Sequence, residues 1–302
     1  MERDSILNEK KRIEDQFGPW TTDIKLPGGI MTRGDGAGPD PRLRRIVQII
    51  SDLANKPWND LRILDLGSLE GLFPIEFALR GADVIGLEGR AANIEKANFA
   101  NDLLKLSNLK FIKDDVRNIS REKHGTFDVI VCSGVFYHLD VGDVFPFLEK
   151  IFEMCDKIFI IDTHVSLDAL MPHEYKNKIY WGKKVFEHGL KESYENKQEK
   201  VWASLDNFES FWLTRESLFD FLQVLGFSSV YQCDNPVING LRDRETFVAV
   251  RGSRARLLTA EEVSPVITPR IDTHGRGILW RMIYKFKSLN FGLRRIKRRL
   301  ES

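Results

Sequence analysis

The residues most able to do chemistry in this 302-residue chain stand where short apolar runs end. The run RILDLG enters a turn with Gly67 and Gly71, and a helical stretch begins near Glu70. Glu88 ends the next apolar run, 21 residues after Gly67. Glycine-permitted backbone and a helix N-terminus at the carboxyl edge of a parallel sheet are typical of a ligand site. An acid at the end of the following strand can accept hydrogen bonds from both hydroxyls of a ribose. The spacing therefore predicts a nucleoside-binding crevice.

Two further apolar runs end in residues suited to the same crevice. Asp115 can accept from an adenine amino group, Val116 can pack on the ring, and Ser133 ends the fourth run facing the same edge. The glycine spacing is G-x-x-x-G rather than the dinucleotide G-x-G-x-x-G, and the chain has no G-x-x-x-x-G-K-[ST] phosphate loop. An acid at a strand end is usually only solvated. Four such features in order on successive strands indicate a site.

The elements that must position these residues alternate between strand and helix from residue 61 onward. The strand-like runs are continuously apolar, as in parallel sheets covered on both faces. We predict a doubly wound α/β domain over residues 61–252 with a mostly parallel, seven-stranded sheet. The predicted strands are 61–67, 82–88, 109–114, 127–133 and 157–164, with 230–234 and 246–252 as a closing hairpin. The predicted helices are 70–81, 91–106, 141–155 and 214–227.

Over residues 61–252 the sequence resembles the class I S-adenosylmethionine (SAM)-dependent methyltransferases. ILDLGSLEG is similar to that family's first motif, GLEGR to its ribose acid, DDVRN to its adenine contact and FDVIVCSGVFYHL to its fourth motif. One departure is Leu69, where the commonest form of the first motif has a middle glycine. The resemblance implies that SAM is the cofactor and that the residues binding it are Gly67, Ser68, Gly71, Glu88, Asp115, Val116 and Ser133.

The chemistry of SAM agrees with the acidic character of this edge. SAM is a sulfonium without phosphates, so its site needs carboxylates and close backbone rather than a basic cradle. LPGGIMTRG and SGVFYHL look closest to the branch that includes tRNA wobble-uridine methyltransferase-like proteins. That closer resemblance does not transfer a substrate.

Two histidines are the candidates for catalysis. Methyl transfer is an in-line displacement in which the protein aligns the nucleophile and removes a proton from a hydroxyl or amine. His138 follows the fourth strand, and His164 follows the fifth, two residues after Asp162. The alternative for His138 is a structural residue that caps the next helix, and for His164 a turn histidine paired with Asp162. The Asp-x-His pair could also begin a metal site, but no third ligand can be named, so we predict no metal.

An insertion at residues 163–212 is rich in aromatic side chains. Nine of its 50 residues are aromatic, or 18%, against 11% for the chain. Its position between the fifth strand and the next helix favours a substrate lid over the methyl-donor crevice, and a small satellite core is the alternative. Trp181 and His188 are the first members of the insertion to test.

The formal net charge of +1 conceals an uneven distribution. Residues 278–302 carry eight basic residues and one acid, a net of +7, so the other 277 residues sum to −6. The apolar spacing in 278–300 predicts a basic amphipathic helix, joined through a linker at 253–277. Such a helix favours an anionic membrane surface over RNA, because phosphate contacts need no apolar stripe. Packing on the body or dimerisation is the alternative. Residues 1–60 form an N-terminal segment, irregular over 26–41 and outside the core there, followed by a helix from Asp40-Pro41.

These features lead to one principal hypothesis and two alternatives. The principal hypothesis is a SAM-dependent methyltransferase, O-directed, with a small-molecule, glycan or lipid-linked acceptor. The alternatives are a tRNA-modifying enzyme, disfavoured by the acidic body, and an inactive SAM-fold binding protein. With no apolar run near the roughly 18 residues of a membrane span, no secretory signal and three scattered cysteines, we predict a cytoplasmic protein, peripheral at the membrane if the tail binds there.

Overall fold

The computed structural model describes residues 3–34, 40–233 and 243–259. Its helices are α1 (Arg3–Phe17), α2 (Pro41–Leu53), α3 (Leu72–Leu79), α4 (Ala91–Leu104), α5 (Arg121–His124), α6 (Val141–Met154), α7 (Tyr194–Glu199) and α8 (Arg215–Leu225). Its strands are β1 (Lys25–Leu26), β2 (Ile30–Met31), β3 (Arg62–Leu66), β4 (Asp83–Glu88), β5 (Leu109–Lys113), β6 (Phe127–Ser133), β7 (Cys155–His164), β8 (Met171–Tyr175), β9 (Lys178–Phe186), β10 (Glu209–Leu213), β11 (Ser229–Cys233) and β12 (Arg244–Val250).

A seven-stranded sheet organises the fold, in the order β11-β12-β7-β6-β3-β4-β5. The strands β3 to β7 run parallel, and β12 runs antiparallel to both of its neighbours. The chain builds outward from β3 through β4 to β5 and then returns to β6 on the other side of β3. This reversal places a topological switch point between β3 and β6, where open α/β sheets bind ligands at the carboxyl ends of their strands. The predicted doubly wound fold is confirmed.

Two apolar layers cover the faces of this sheet. On one face α2, α3 and α4 pack with α1 against the strands, through residues such as Ile46, Ile50 and Phe77. On the other face α6 and α8 pack through residues such as Leu148 and Leu222. The strands are therefore buried on both sides, which is why their sequences are apolar throughout rather than alternating.

The insertion after β7 folds as a second, antiparallel sheet in the order β10-β9-β8. Tyr180 and Phe211 of this sheet are buried in the same apolar cluster as α6. The insertion is thus fixed on the main domain by a shared core, and its buried apolar residues do not form the separate satellite core that the sequence left open as an alternative.

The N-terminal segment differs from the prediction in two respects. Residues 26–41 were expected to lie outside the core, but Leu26 and Ile30 are 2% and 4% exposed and belong to the apolar cluster of α2. The turn between β1 and β2 allows this, because Gly28 and Gly29 both take positive φ angles and bring the two side chains to one face. The second difference is α1, which the sequence analysis did not predict.

The predicted basic helix at 278–302 and most of the predicted linker lie outside the described residues. Residues 253–259, the described part of that linker, contain no helix or strand. In the described part of the chain, no helix is both long enough and apolar enough to cross a membrane.

Candidate functional site

The turn after β3 has the tight backbone that its glycines predict. Gly67 has φ +70, and a Cβ placed there would lie 2.0 Å from Val135 Cγ2. Gly71 has φ +92, and its Cβ would lie 2.6 Å from the Phe111 ring. Only glycine fits at either position. Leu69 takes the left-handed conformation, φ 47, where the family's common motif has glycine, so the leucine keeps the turn at a cost of about 1–2 kcal/mol.

Glu88 is anchored at the end of β4 and faces this turn. It is 3% exposed, and its carboxylate accepts from the backbone amides of Leu69 (3.0 Å) and Arg90 (2.8 Å). The Asn93 amide nitrogen lies 3.3 Å from the same carboxylate. These donors fix the carboxylate at the rim of a cleft that Gly67 also lines. The geometry suits the ribose-binding role that the sequence predicts for Glu88.

The part of the cleft around Asp65 and Glu88 favours a cationic group of a ligand. Burial raises the pKa of Asp65 well above its ordinary value, and the neighbouring Glu88 raises it further. Burial also raises the pKa of Glu88, against the hydrogen bonds that it accepts. Both carboxylates line the cleft. A bound cation would stabilise the charged forms of these two buried carboxyl groups. A phosphate group would instead add a further negative charge beside them.

Two hydroxyl groups in the cleft have no hydrogen-bond partner within the described structure. They belong to Ser68 and Ser133, whose Oγ atoms are buried although both residues line the cleft. Buried polar atoms nearly always have a hydrogen-bond partner, so these two hydroxyl groups indicate that a polar ligand binds beside them. SAM, with its cationic sulfonium and ammonium, its ribose and its adenine, fits the donors and acceptors present here.

We predict that Ser133→Ala weakens binding of S-adenosylhomocysteine (SAH) about fivefold while leaving the melting temperature of the free protein unchanged. The reason is that the Ser133 hydroxyl has no protein partner to lose among the described residues, only a ligand. Ser217→Ala is the matched control, because the Ser217 hydroxyl accepts from Trp181 N at 2.7 Å. That variant should lose stability and keep its SAH affinity. Calorimetry and thermal melts measure both, and a destabilised Ser133→Ala protein with normal affinity would contradict the assignment.

Asp115 and Val116 lie on the other side of the cleft, after β5. Asp115 forms an ion pair with Arg117 at 2.6 Å and accepts from its backbone amide, and Val116 is 7% exposed. Both residues line the cleft, so all seven predicted cofactor-binding residues but one, Gly71, do so. Gly71 instead supports the turn from behind, against Phe111. The adenine role of Asp115 and Val116 remains a prediction.

Part of the insertion lines the cleft next to the ends of β4 and β5. This part is residues 201–207, here called the cover segment. Arg90 donates to the carbonyls of Gln198, Lys200, Ala203 and Ser204 at 2.8–3.3 Å. On the β5 side, the cover segment is tied through Arg117, which donates to the side chains of Asp206 and Asn207 at 2.8–3.2 Å.

We predict that Arg90→Met frees the cover segment. Four carbonyl contacts disappear together, so amide hydrogen exchange across 198–204 should rise at least about tenfold, given roughly 1 kcal/mol for each net hydrogen bond. Arg80→Met is the control, since Arg80 pairs only with Glu76 and Trp58 on the surface in the described structure. Unchanged exchange in Arg90→Met would show that Arg90 does not hold the segment.

His138 stands at the cleft with a carboxylate behind it. Its Nδ1 lies 2.9 Å from Glu187 Oε1, and Glu187 Oε2 accepts from the Ser204 amide at 3.0 Å. Burial opposes ionisation of Glu187, yet the hydrogen bonds from His138 and Ser204 prevail and hold the pKa of this carboxyl below its ordinary value. With Nδ1 donating to the carboxylate, Nε2 carries the lone pair. The arrangement has the form of a histidine base oriented by an acid.

The capping role weighed for His138 is wrong. Asp140 caps α6, accepting from the amides of Gly142 at 2.7 Å and Asp143 at 3.1 Å. The side chain of His138 is therefore directed to Glu187 instead of to the helix.

His164 does not line the cleft. It lies behind Tyr137, stacked on Trp212 with ring centroids 4.8 Å apart. The expected pairing with Asp162 is wrong, because His164 Nδ1 lies 3.0 Å from Asp243 and Asp162 accepts from Arg244 instead. Successive residues on one face of a strand are about 6.6 Å apart, so these side chains bond to the neighbouring strand rather than to each other.

Two other members of the insertion were singled out from the sequence, and neither lines the cleft. His188 is buried and its Nε2 lies 2.9 Å from the Ser204 carbonyl, so it supports the cover segment from behind. Trp181 bonds through its backbone to Ser217 and Thr214. Trp202 is the aromatic residue of the insertion that reaches the cleft. In the described ranges, no three His, Cys, Asp or Glu side chains are grouped so as to hold a metal ion.

Sequence reasoning missed Arg90, Glu187 and Arg244, all of which contribute to the site. Arg90 lies in the GLEGR motif, next to the ribose acid, and that position was a usable signal. Glu187 and Arg244 do not lie in a recognisable motif. They contact His138 and Asp162, which are 49 and 82 positions away in the chain.

Comparisons with known proteins agree with the fold and the motifs. Residues 58–206 match a family described as "Methyltransferase domain". The chain is 26% identical over 129 residues to a ubiquinone biosynthesis O-methyltransferase of Acinetobacter baylyi, covering 43% of this chain and 50% of that protein. It is 24% identical over 144 residues to an uncharacterized RNA methyltransferase of Mycoplasma mobile, covering 45% and 39%. The chain thus spans half or less of these curated relatives.

Among solved structures, the N-terminal domain of EvdMO1, crystallised with SAH and D-fucose, superposes with a TM-score of 0.65. The sequences are 23% identical, and the match covers 83% of this chain and 98% of that domain. This likeness shows a shared fold. Together with the family match and the seven-stranded sheet, it identifies residues 58–206 as a methyltransferase domain. Residues 58–206 are thus a methyltransferase domain with the class I fold, and SAM is the methyl donor of such domains.

Proposed function

We propose that this chain transfers a methyl group from SAM to a hydroxyl oxygen of a small-molecule, glycan or lipid-linked acceptor. The observation that carries the proposal is the pairing of His138 with Glu187 at the cleft. A hydroxyl must lose its proton when it attacks a methyl group, and an oriented imidazole is the group that can take it. The ubiquinone biosynthesis O-methyltransferase among the relatives supports oxygen as the methylated atom.

In this proposal, the residues on one side of the cleft bind SAM and those on the other side bind and deprotonate the acceptor. On the donor side, Glu88 would hold the ribose, Asp115 and Val116 the adenine, and Ser68 and Ser133 the remaining polar groups. SAM supplies a methyl group already activated by the sulfonium. Asp65 and Glu88 stabilise positive charge there before transfer, and the cover segment excludes water from that region.

On the acceptor side, His138 Nε2 would take the hydroxyl proton. Glu187 fixes the tautomer of His138 and stabilises the imidazolium that forms, which is the contribution of the acid in a histidine–acid pair. Because Glu187 also accepts from Ser204 in the cover segment, the orientation of the base depends on the segment being closed. Substrate closure and base orientation are therefore coupled in this proposal.

The acceptor class rests on charge and on the predicted tail. The acidic body disfavours long nucleic-acid contacts, which depend on phosphate neutralisation. The basic segment 278–302 of the sequence supports an acceptor presented at an anionic membrane surface, such as a lipid-linked one.

The test measures SAH release from SAM with a panel of hydroxyl acceptors, including sugars, phenols and polyprenyl-linked glycans, alongside total tRNA. We expect SAH release with a hydroxyl acceptor, and we expect it to require His138. Turnover of tRNA alone would replace the proposal with the RNA alternative. Tight SAM binding without turnover on any of these acceptors would favour the inactive alternative.

A further inference from the structure

A small space beside Gly134 is surrounded by three hydrogen-bond donors. Gly134 follows β6 with φ +86, and an ideal Cβ built on it would lie 3.5 Å from Arg244 Nη2, 3.9 Å from Tyr137 Oη and 4.0 Å from Arg42 Nη1. These donors come from α2, from the segment after β6 and from β12. All four residues line the cleft.

The two arginines are held in place by carboxylates on their other nitrogens. Arg244 Nε donates to Asp162 at 2.7 Å, and Asp162 accepts from Thr246 at 2.7 Å through its second oxygen. Arg42 donates from Nε and Nη2 to Asp40 at 2.6–3.2 Å. The guanidinium planes are thereby fixed before any ligand arrives.

One donor of this group lacks a partner. Arg244 Nη2 is buried and has no hydrogen-bond acceptor within the described structure. A buried guanidinium nitrogen without an acceptor is desolvated without compensation. An acceptor atom that bonds Arg244 Nη2 from the cleft would come close to Tyr137 and Arg42 as well, because the three donor atoms all lie within 4.0 Å of the ideal Cβ position of Gly134.

We propose that this space is a subsite for a carboxylate carried by the methyl acceptor, an inference that rests on the proposed function. The placement beside the candidate base assigns it to the acceptor, because the ring of Tyr137 lies 4.2 Å from that of His138. Two guanidinium groups already faced by Asp40 and Asp162 are suited to a singly charged anion. A phosphate dianion would bring a second negative charge to two guanidinium groups that Asp40 and Asp162 already neutralise, whereas a carboxylate brings one charge and matches the planar fork of arginine.

Acetate serves as the probe, because it is small enough to enter without the rest of the acceptor. Sodium acetate is titrated into the SAH-saturated full chain at constant ionic strength, and the arginine Nε–H signals are followed by NMR. The signal absent from Arg244→Met identifies Arg244. We expect this signal to shift saturably in the parent protein. Acetate affinity should be at least about tenfold weaker in Arg244→Met and severalfold weaker in Tyr137→Phe, read from other signals of the cleft.

Control variants and ligands show whether the subsite binds a carboxylate of the acceptor or the methionine carboxylate of the donor. Arg12→Met, on the surface of α1, should bind acetate as the parent does. Arg244→Met should retain parental affinity for both SAH and 5′-methylthioadenosine, which lacks the methionine carboxylate. Selective loss of SAH affinity would assign the subsite to the donor and overturn the proposal.

Two further results would also overturn it. One is the absence of a saturable acetate shift at Arg244, and the other is equal acetate affinity in the parent and in Arg244→Met. If the parent chain binds no SAH, the proposed function fails independently. The acetate titration of the unliganded chain then still decides whether the subsite binds a carboxylate.

Discussion

Glu88→Gln is expected to weaken SAH binding by about 100-fold. The carboxylate of Glu88 is held by the amides of Leu69 and Arg90, so that it presents its remaining acceptor capacity to the cleft. Hydrogen bonds to a charged group contribute about 1.5–3 kcal/mol each, and weakening both ribose contacts gives roughly 3 kcal/mol. Calorimetric titration of SAH into the two proteins measures the difference.

The control for this variant lies on the same strand. Asp83 begins β4 at the opposite edge of the sheet and is largely exposed, so Asp83→Asn should bind SAH as the parent does. Glutamine at position 88 preserves the side chain's shape, and thermal melts of the free protein report any damage to the turn. Parental SAH affinity in Glu88→Gln would show that Glu88 does not hold the ribose.

His138→Gln is expected to lower turnover by about 10²–10⁴-fold, the usual contribution of a general base. The SAH affinity should remain within about twofold of the parent, because the proposed role of His138 lies on the acceptor side. The measurement is SAH release at saturating SAM with the acceptor found in the panel. His173→Gln is the control: His173 belongs to the insertion, stacks on Phe145 and does not line the cleft.

Glu187→Gln separates a positioning role from a structural one. Without the carboxylate, the imidazole loses the partner that orients it, so turnover should fall while SAH affinity and the melting temperature of the free protein stay near the parent values. A purely structural contribution would lower the melting temperature together with activity. Unimpaired turnover in His138→Gln would remove His138 from the mechanism altogether.

The main sheet could be predicted because strands that are buried on both faces have continuous apolar runs in the sequence. β6, for example, was predicted at its observed bounds, residues 127–133. The insertion's strands could not be predicted in the same way. In β9, Tyr180 and Gly182 are the buried positions, but Ile179 and Phe186, on opposite faces of the strand, are both exposed, so the two-residue period of its inward side is hidden. The helix α1 was missed because it buries only Ile6 and Ile13 among its described apolar residues.

Six of the seven predicted cofactor-binding residues line one cleft, and the sequence could predict this because the carboxyl ends of parallel strands meet at the same edge of a sheet. The acceptor side could not be predicted in this way, because it depends on side chains that meet across the fold. Glu187 reaches His138 from the insertion, and Arg244 reaches Asp162 from the next strand in the sheet. The expectation for Asp162 and His164 failed for the same reason, since sequence neighbours on a strand bond sideways rather than to each other.

The cleft at the β3–β6 switch point is expected to bind SAM. Calorimetric titration of the full chain with SAM and with SAH measures this binding, with ATP as a phosphate-bearing nucleotide for comparison. We expect a single saturable site for SAM and for SAH and no saturable binding of ATP, because Asp65 and Glu88 disfavour phosphates beside them. If neither SAM nor SAH binds, or if ATP binds more tightly than both, the cleft is not a SAM site.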